Sequence, residues 1–396
     1  MPPAAAESDR PTLPTSRTDG QNISERKRPK AQKHGVHVAA SPTPDRFLFS
    51  DLPTREVKAL IRAALLAGDP VKLVLAVTAK GRWRGWAKIT AGDEARAAAA
   101  VAALDGAVVK GVSLRASLGL GRRDNVFPFL DRGLRESFEL DSTAAYSAMD
   151  EHTTALLASF LAVVYAGDHL ATLSITDACA CTGACTVVLA RHFHAVDAVE
   201  LDAGRCAALR KNVLLCGADN VRAHQGDYNA LSDTLRQDVV FLDVPWGGPE
   251  YVEAEGSACD ALGDVPLVDL VLRLRRRASA VALRLPTKGS FDVDAFAAAL
   301  VAESAWDCAE ERCLPFRITT HLAHLVVVLM PGPRFGLRTL DATMAAAHAW
   351  DERWRQDVRP AFYDWEAKRW IRASRWIPAR ARRSRLAEGA PAASDV

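Results

Sequence analysis

The hydrophobic pattern of residues 122–330 alternates between short, continuous apolar runs and longer segments with helical spacing. Runs such as Leu173–Asp177 and Asp238–Leu242 have the length and character of buried parallel strands. Strands that alternate with helices along a chain favour a doubly wound, mostly parallel sheet. The sequence therefore predicts an α/β domain, to which we assign residues 120–340.

Residues 46–119 follow a different pattern, in which the order of elements is β, α, β, β, α, β. The four predicted strands are Arg46–Ser50, Val71–Thr78, Trp86–Ile89 and Ser113–Leu118. Thr54 and Asp93 stand where helix-capping residues are expected. This pattern predicts a small, separate α+β domain.

Polar and basic segments flank these two domains. Residues 1–45 and 386–396 are predicted to be disordered, because they contain few large apolar side chains. The basic run Arg26–Lys30 fits a nuclear import signal and a solvated tail equally well. Residues 341–385 are predicted as a helical extension that packs on the α/β domain or contacts phosphates. Its tryptophans are Trp350, Trp354, Trp365, Trp370 and Trp376.

Composition narrows the class of protein. The chain has 396 residues, of which 49% are hydrophobic, so it is long enough to bury two cores. We find no apolar run of membrane-spanning length and no signal-peptide pattern. The eight cysteines are dispersed among predicted helices and strands, which indicates a reducing compartment. We expect a monomeric intracellular protein, in the nucleus or the cytoplasm, and the basic N-terminal run favours the nucleus.

Four successive predicted strands of the α/β domain end in acidic residues, namely Asp177, Glu200, Asp227 and Asp243. The carboxyl ends of parallel strands face the ligand crevice at one edge of the sheet. Glu200 follows Asp177 at close to the spacing of about 20 residues at which a carboxylate reaches ribose hydroxyls. Asp227 suits an adenine amine, and Asp243 can accept a hydrogen bond from another exocyclic amine.

The loop Asp243–Tyr251 is suited to a flat ring that carries an amine. Pro245 fixes the turn, Trp246 offers a face for stacking, and Gly247–Gly248 allow the backbone to approach closely. The alternative is an ordinary turn with Trp246 in the core.

The turn Ala178–Cys185 lacks the G-x-G-x-x-G pattern of dinucleotide-binding proteins, because Cys179 and Cys181 occupy the early glycine positions. A cysteine where a positive φ is wanted costs on the order of 1 kcal/mol. With His192 and His194, the cysteines also suggest zinc, but their spacing lacks the paired C-x2-C of structural sites. Small residues packed under a cofactor are the better account, and we predict no metal.

The α/β domain resembles the trimethylguanosine synthases, the RNA cap guanine-N2 methyltransferases, from about Phe138 to Met330. The matching residues are Leu140–Asp141, Tyr146–Ser147, Asp177, Thr182–Gly183, Glu200–Asp202, Asn212, Gly226–Asp227, Val239–Leu242, Pro245–Tyr251 and Leu285–Pro286. Three residues depart from the family, which commonly has Ser-Pro-Pro-Trp where this chain has Asp243-Val244-Pro245-Trp246, and a tryptophan at Ala145. The fold that the resemblance implies is a Rossmann-like S-adenosylmethionine-dependent methyltransferase.

The resemblance implies methylation of the N2 amine of 7-methylguanosine in an RNA 5′ cap, toward the 2,2,7-trimethylguanosine cap. S-adenosyl-L-methionine would be the cofactor, held by Ser147, Asp177, Cys179, Thr182, Gly183, Glu200, Leu201, Asp227, Tyr228 and Asp243. Asp243 and Pro245 would orient the amine, and Trp246 would stack on the cap. Candidates for the cap phosphates are Tyr251, Lys288 and Arg122 or Arg123. An adenine N6 methyltransferase and a catalytically weakened RNA-binding adaptor are the alternatives.

The small domain resembles the RNA recognition motif, on the strength of Phe47–Leu52 and Arg84–Ile89. The resemblance implies that it holds the single-stranded body of a capped RNA. The candidate contacts are Leu48, Lys80, Arg82, Trp83, Arg84, Trp86 and Lys88. Leu48 and Lys88 stand where the family has aromatic residues, so a fold retained for protein contact is the alternative.

Overall fold

The computed structural model of the chain describes two main sheets with their helices and one two-stranded hairpin. The described residues are 35–40, 54–64, 72–77, 83–165, 169–246, 259–288, 291–304, 313–320, 323–330, 337–354, 360–364 and 366–376. Among them, no helix combines the length and the apolar character needed to cross a membrane.

The small N-terminal sheet has five antiparallel strands in the order β2-β3-β1-β5-β4. Its elements are β1 (Gly35–Ala40), α1 (Thr54–Ala64), β2 (Lys72–Val77), β3 (Trp83–Thr90), α2 (Glu94–Leu104), β4 (Val108–Val109) and β5 (Val112–Leu118). Asp93 caps α2 by accepting a hydrogen bond from the Arg96 amide. One face of the sheet forms a core with the two helices, in which Val38, Ile61 and Leu114 are fully buried.

The first strand of this sheet lies earlier in the chain than the sequence predicted. Gly35–Ala40 is the central strand, paired with both β3 and β5. Val36, Val38 and Ala40 point into the core at the alternating positions of a strand. The prediction that residues 1–45 are disordered is therefore wrong for residues 35–40. The predicted strand Arg46–Ser50 lies outside the described residues.

The large sheet has nine strands in the order β16-β15-β13-β14-β12-β9-β6-β7-β8. Before it come α3 (Arg123–Val126), α4 (Arg132–Ser137), α5 (Ser142–Ser147) and α6 (Glu151–Val164). Its first half contains β6 (Ser174–Asp177), α7 (Thr186–Leu189), β7 (Ala195–Glu200), α8 (Ala203–Leu215), β8 (Val221–Gln225), α9 (Tyr228–Leu231) and β9 (Val239–Leu242). A two-residue hairpin, β10 (Ala261–Leu262) and β11 (Val265–Pro266), and α10 (Leu267–Leu274) follow. The second half contains β12 (Ala280–Pro286), α11 (Val293–Glu303), β13 (Leu314–Thr319), β14 (Ala323–Leu329), α12 (Leu340–Trp354), β15 (Ala361–Asp364) and β16 (Arg369–Arg372).

Strands β8, β7, β6, β9 and β12 are parallel, whereas β14, β13, β15 and β16 pair antiparallel with their neighbours. The chain runs from β6 outward to β8 and then returns to the other side of β6 as β9. Ligands of such sheets bind where the strand order reverses, outside the carboxyl ends of the strands. The topology confirms the predicted doubly wound α/β sheet and puts its switch point between β6 and β9. The sheet is mixed rather than mostly parallel, because four of the eight pairings between its described strands are antiparallel.

The C-terminal extension differs from the predicted helical one. After α12 the chain forms β15 and β16, which lengthen the edge of the large sheet. Trp350 is buried against Phe160, and its indole N–H donates to the Ser159 hydroxyl. The Trp376 indole N–H donates to Asp341. These tryptophans pack on the α/β domain, while Trp354 and Trp365 fall outside the described side chains.

Candidate functional site

The four acidic residues singled out in the sequence lie along one edge of the large sheet. Asp177 and Glu200 are the last residues of β6 and β7, and Asp227 and Asp243 follow β8 and β9. Asp177 stands opposite Phe241 in the register of the parallel pair at the switch point. The strand-end carboxylates therefore surround the crevice in which this fold binds ligands.

The turn between β6 and α7 has the backbone that a cofactor turn requires. Cys181 has a φ of 49°, a left-handed conformation that favours glycine, and Gly183 has a φ of 90°. A Cβ atom on Gly183 would lie 2.6 Å from Leu209 Cδ1, so a larger residue would displace that side chain of α8 as well as strain the backbone. The amide of Cys181 donates to Glu200 Oε2 at 2.9 Å and ties this turn to the end of β7. The strain expected at Cys181 is thus present.

Asp177 is a buried carboxylate at the centre of the site. Thr186 Oγ1 donates to its Oδ2 at 2.7 Å, while its Oδ1 receives no hydrogen bond from a described side chain. Burial raises the pKa of Asp177 to about 7, and the nearby Asp243 and Glu200 act in the same direction. A cationic ligand group beside Asp177 would reverse this cost.

Cys179 lies in the turn after β6, close to these carboxylates. Burial raises the pKa of its thiol well above the usual value, and the charges of Asp177 and Asp243 raise it further. The thiol therefore stays protonated at neutral pH, which makes it a poor metal ligand. Among the described residues, no group of three or more His, Cys, Asp or Glu is arranged to hold a metal ion.

Glu200 and Leu201, at the end of β7, offer a ligand a polar and an apolar surface, respectively. Glu200 Oε1 accepts from the Asp202 amide and from Arg205 Nε, which fixes the carboxylate but leaves it acceptor capacity. Leu201 is 67% exposed, which is unusual for a leucine next to a buried strand. The exposed Asp227 caps α9 by accepting from the Asn229 amide.

Tyr228, also assigned to the cofactor, lies elsewhere. Its side chain is 2% exposed and packs in the core, and its hydroxyl donates to Gln237 at 3.1 Å. The prediction of a cofactor contact by this side chain is wrong, because a buried tyrosine on a core-facing helix position supports the fold rather than the crevice.

Asp243 is paired with a residue that the sequence analysis did not single out. Arg284, on the neighbouring strand β12, donates from one Nη1 atom to Asp243 Oδ2 at 2.9 Å and to the Ser147 carbonyl at 2.7 Å. Its guanidinium lies 4.6 Å from the centre of the Trp246 ring. The Trp246 indole N–H donates in turn to the Arg284 carbonyl oxygen at 3.3 Å. Burial raises the pKa of Asp243, and Arg284 opposes that rise.

The other residues assigned to the substrate are only partly brought together. Pro245 and Lys288 are exposed next to β9 and β12, and Ser147 ends α5 with its side chain exposed. Tyr251 lies outside the described residues. Arg123 is used structurally, because it donates to the carbonyl oxygens of Arg135 and Phe138. Arg122 stays exposed beside Tyr146, with its guanidinium 5.3 Å from the ring centre.

The candidate RNA-binding residues of the small domain are placed differently from the prediction. Trp83 is 1% exposed in the core between sheet and helices, so it cannot stack on a base, and that prediction is wrong. Trp86 is half-buried on the opposite face, beside the His37 ring. Leu48, Lys80, Arg82 and the side chain of Arg84 lie outside the described residues.

The chain itself covers this opposite face with residues 119–137, here called the covering segment. Lys88 Nζ donates to the Gly121 carbonyl at 2.8 Å, and the buried His37 ring hydrogen-bonds the Pro128 carbonyl at 2.9 Å. Arg135 donates to Ser117 of β5 and forms a buried ion pair with Asp124. The face on which RNA recognition motifs stack bases is thus largely occupied by an internal contact.

The covering segment is also anchored to the large domain. Glu151, the first residue of α6, accepts hydrogen bonds from the amides of Phe129 and Leu130. Its other carboxylate oxygen pairs with Arg191 at 2.7 Å. Because Glu151 is 1% exposed, its two backbone bonds and its ion pair fix the covering segment to the domain that carries the candidate site.

Comparison with known proteins agrees with this geometry. Residues 172–308 match the family model described as RNA cap guanine-N2 methyltransferase. The uncharacterized protein L320 of Acanthamoeba polyphaga mimivirus is 32% identical over 124 residues, which are 30% of this chain and 48% of that protein. The chain thus spans about half the length of this relative. The matched residues lie within the α/β domain for which the sequence predicted this resemblance.

Among solved structures, the chain is similar to an rRNA methylase from Streptococcus thermophilus, with 14% identity and a TM-score of 0.32 over 47% of this chain and 100% of that one. It is also similar to an RNA methyltransferase from Salinibacter ruber in complex with S-adenosyl-L-homocysteine. That similarity has 19% identity and a TM-score of 0.28 over 44% of this chain and 90% of that one.

Proposed function

Because residues 172–308 match the RNA cap guanine-N2 methyltransferases, we propose that this chain methylates the exocyclic N2 amine of 7-methylguanosine at an RNA 5′ cap. The observation that carries the proposal is the set of residues that lie together at the switch point. Asp243 and Trp246 follow β9, and Asp177 and Glu200 end the two adjoining strands. An amine acceptor and a stacking ring therefore adjoin a carboxylate-lined crevice.

The cofactor is S-adenosyl-L-methionine, and the residues present fit it. The buried Asp177, whose Oδ1 lacks a side-chain partner, suits the ammonium group of the methionine moiety. Glu200 suits the ribose hydroxyls, Leu201 offers an apolar surface to the adenine, and Asp227 suits the adenine amine. When bound, the cofactor supplies a methyl group activated by the positive sulfonium. Thr182 and Gly183 are the small residues of the turn that would lie beside it.

The residues after β9 would hold the target base. Asp243 keeps acceptor capacity beyond its bonds to Arg284 and can accept one hydrogen of the N2 amine. This contact orients the nitrogen lone pair, and alignment matters more than a strong base because that lone pair is conjugated with the ring. Trp246 stacks on the 7-methylguanine, whose positive charge adds a cation–π attraction of about 1–2 kcal/mol. The exposed Lys288 and Arg122 are the candidates for binding the cap phosphates.

The proposal is tested with purified full-length protein, methyl-labelled cofactor and short single-stranded RNAs. The panel comprises RNA with a 7-methylguanosine cap, with an unmethylated cap and with no cap. Label confined to the 7-methyl-capped RNA supports the proposal. Equal label in uncapped RNA defeats it and favours an adenine or internal guanine target. Binding of capped RNA without any label would indicate an adaptor.

A further inference from the structure

A second cluster of Asp, Arg and Trp side chains lies away from the switch point and serves as a comparison for the cluster at the candidate site. The site cluster consists of Asp243, Arg284 and Trp246, and the edge cluster consists of Asp294, Arg317 and Trp370. In the edge cluster, Arg317 pairs with Asp294 at 3.0 Å and lies 4.4 Å from the centre of the Trp370 ring. It is formed by α11, β13 and β16, away from the crevice.

The two arginines differ in what they connect. Arg317 joins Asp294 of α11 to Trp370 of β16, at the outer edge of the sheet. Arg284 joins three different parts of the candidate site, because it contacts the Ser147 carbonyl at the end of α5, the Asp243 carboxylate and the Trp246 ring. Its main-chain carbonyl also accepts the Trp246 indole N–H, so the same residue holds the face and the edge of that ring.

We infer that Arg284 is a positioning residue of the methyl-transfer site, which sets the orientation of Asp243 and Trp246 toward the target base. This inference rests on the proposed function for the nature of that base. The side chains of Arg284 and Asp243 are 11% and 16% exposed, so the pair is largely removed from solvent. Removing the arginine alone leaves a mostly buried carboxylate without its cation, and that carboxylate will protonate or move.

A displacement of about 1 Å at a reacting group can lower a rate about 100-fold. Arg284→Met should therefore lower kcat/KM for 7-methyl-capped RNA about 100-fold, with a raised KM for RNA and a lowered kcat. Arg284→Lys should recover about tenfold, because it restores the charge without the planar fork. Asp243→Asn combined with Arg284→Met should be more active than Arg284→Met alone, since it keeps an acceptor oxygen and removes the unpaired charge.

Arg317→Met is the matched control, because it removes an ion pair with an aspartate and a contact with a tryptophan ring from the edge cluster. It should keep kcat/KM within about threefold of the parent. A loss of folded protein alone lowers the apparent kcat and leaves the KM for RNA unchanged. The inference is overturned if Arg284→Met keeps the parental KM and loses kcat only in proportion to its folded fraction. It is also overturned if the double variant is no better than Arg284→Met.

The proposed function and this inference fail separately. A parent protein that methylates none of the RNAs defeats the proposed function. Double-mutant cycles on unfolding, Asp243 with Arg284 and Asp294 with Arg317, then still test the site cluster without any ligand. Coupling in the site cluster no larger than in the edge cluster would overturn the inference.

Discussion

The site cluster and the edge cluster contain the same three side-chain types in similar contacts, but they lie in different surroundings. Asp243 is 16% exposed, whereas Asp294 is 65% exposed. The indole N–H of Trp246 donates to a main-chain carbonyl, and that of Trp370 donates directly to Asp294 at 2.6 Å. The edge cluster joins α11, β13 and β16 at the outer edge of the sheet, while the site cluster joins α5, β9 and β12 at the switch point. The contacts alone thus do not reveal a role, and the elements that they join do.

Activity should separate the two tryptophans most strongly. Trp246→Ala should lower cap methylation at least about 1,000-fold, because it removes the stacking surface and one of the partners that hold Arg284. Trp370→Ala should keep methylation within about threefold. The measurement is the initial rate with 7-methyl-capped RNA at equal concentrations of folded protein. Comparable losses in both variants would contradict the distinction between the clusters.

Stability should separate the two aspartates. Asp243→Ala leaves Arg284 largely buried and unpaired, which should lower the free energy of unfolding by about 2–4 kcal/mol. Asp294→Ala exposes an arginine to solvent and should cost at most about 1 kcal/mol. Denaturant unfolding of the cofactor-free proteins measures both. An equal cost would mean that burial does not distinguish the pairs.

A third carboxylate sharpens the comparison, because Asp177 lies beside Asp243 without an arginine of its own. Its pKa of about 7 in the folded chain exceeds the ordinary value of 3.8, so the cofactor-free protein should lose stability as the pH rises from about 4 to about 7. The ionised form, present above about pH 7, is the one that attracts an ammonium group. The affinity for S-adenosyl-L-methionine should therefore fall as the pH drops below about 7.

Asp177→Asn tests this relation by calorimetry and thermal unfolding. The affinity for the cofactor should fall about tenfold, because a charge-assisted contact is lost. The cofactor-free variant should be more stable than the parent at about pH 8, where the parent carries the buried charge. Equal stability of variant and parent at that pH would show that the burial of Asp177 carries no such cost.

Salt should produce the smallest difference between the clusters. Raising the salt concentration from about 0.1 M to about 1 M shortens the Debye length from about 10 Å to about 3 Å. The coupling between Asp294 and Arg317 should fall by a few tenths of a kcal/mol, and that between Asp243 and Arg284 should change less. Double-mutant cycles at both salt concentrations measure the difference. A larger salt effect in the site cluster would contradict its burial.

The ends of the parallel strands could be predicted from the sequence, because buried strands are short apolar runs and their next residues are acidic. Asp177, Glu200 and Asp243 were identified as strand-end residues in this way. The positive φ at Cys181 was expected for a different reason, because this residue occupies a glycine position of the related turn. Arg284 was not predicted as a site residue, because its partners come from other elements. The sequence did contain one indication, a single arginine inside the buried run Ala280–Pro286. Such an arginine indicates a carboxylate partner on the neighbouring strand.

Local composition led to two wrong predictions for the small domain. The run Gly35–Ala40 has the period of a strand but borders a polar tail, so it was assigned to disorder. Trp83 appeared to belong to a basic, aromatic RNA-binding surface, although β3 begins at that residue and turns its ring inward. Which face of a strand meets solvent depends on distant contacts, here the covering segment, and short-range patterns do not contain that information.

The covering segment determines where the chain can be divided into fragments without breaking an interface. A cut near residue 119 would separate Lys88 from Gly121 and His37 from Pro128, and would leave two freshly exposed surfaces. Constructing chimaeras by swapping the small domain would therefore transplant half of an interface. A fragment that keeps this interface intact has to include residues 35–137 together with Glu151, whose carboxylate accepts from the Phe129 and Leu130 amides.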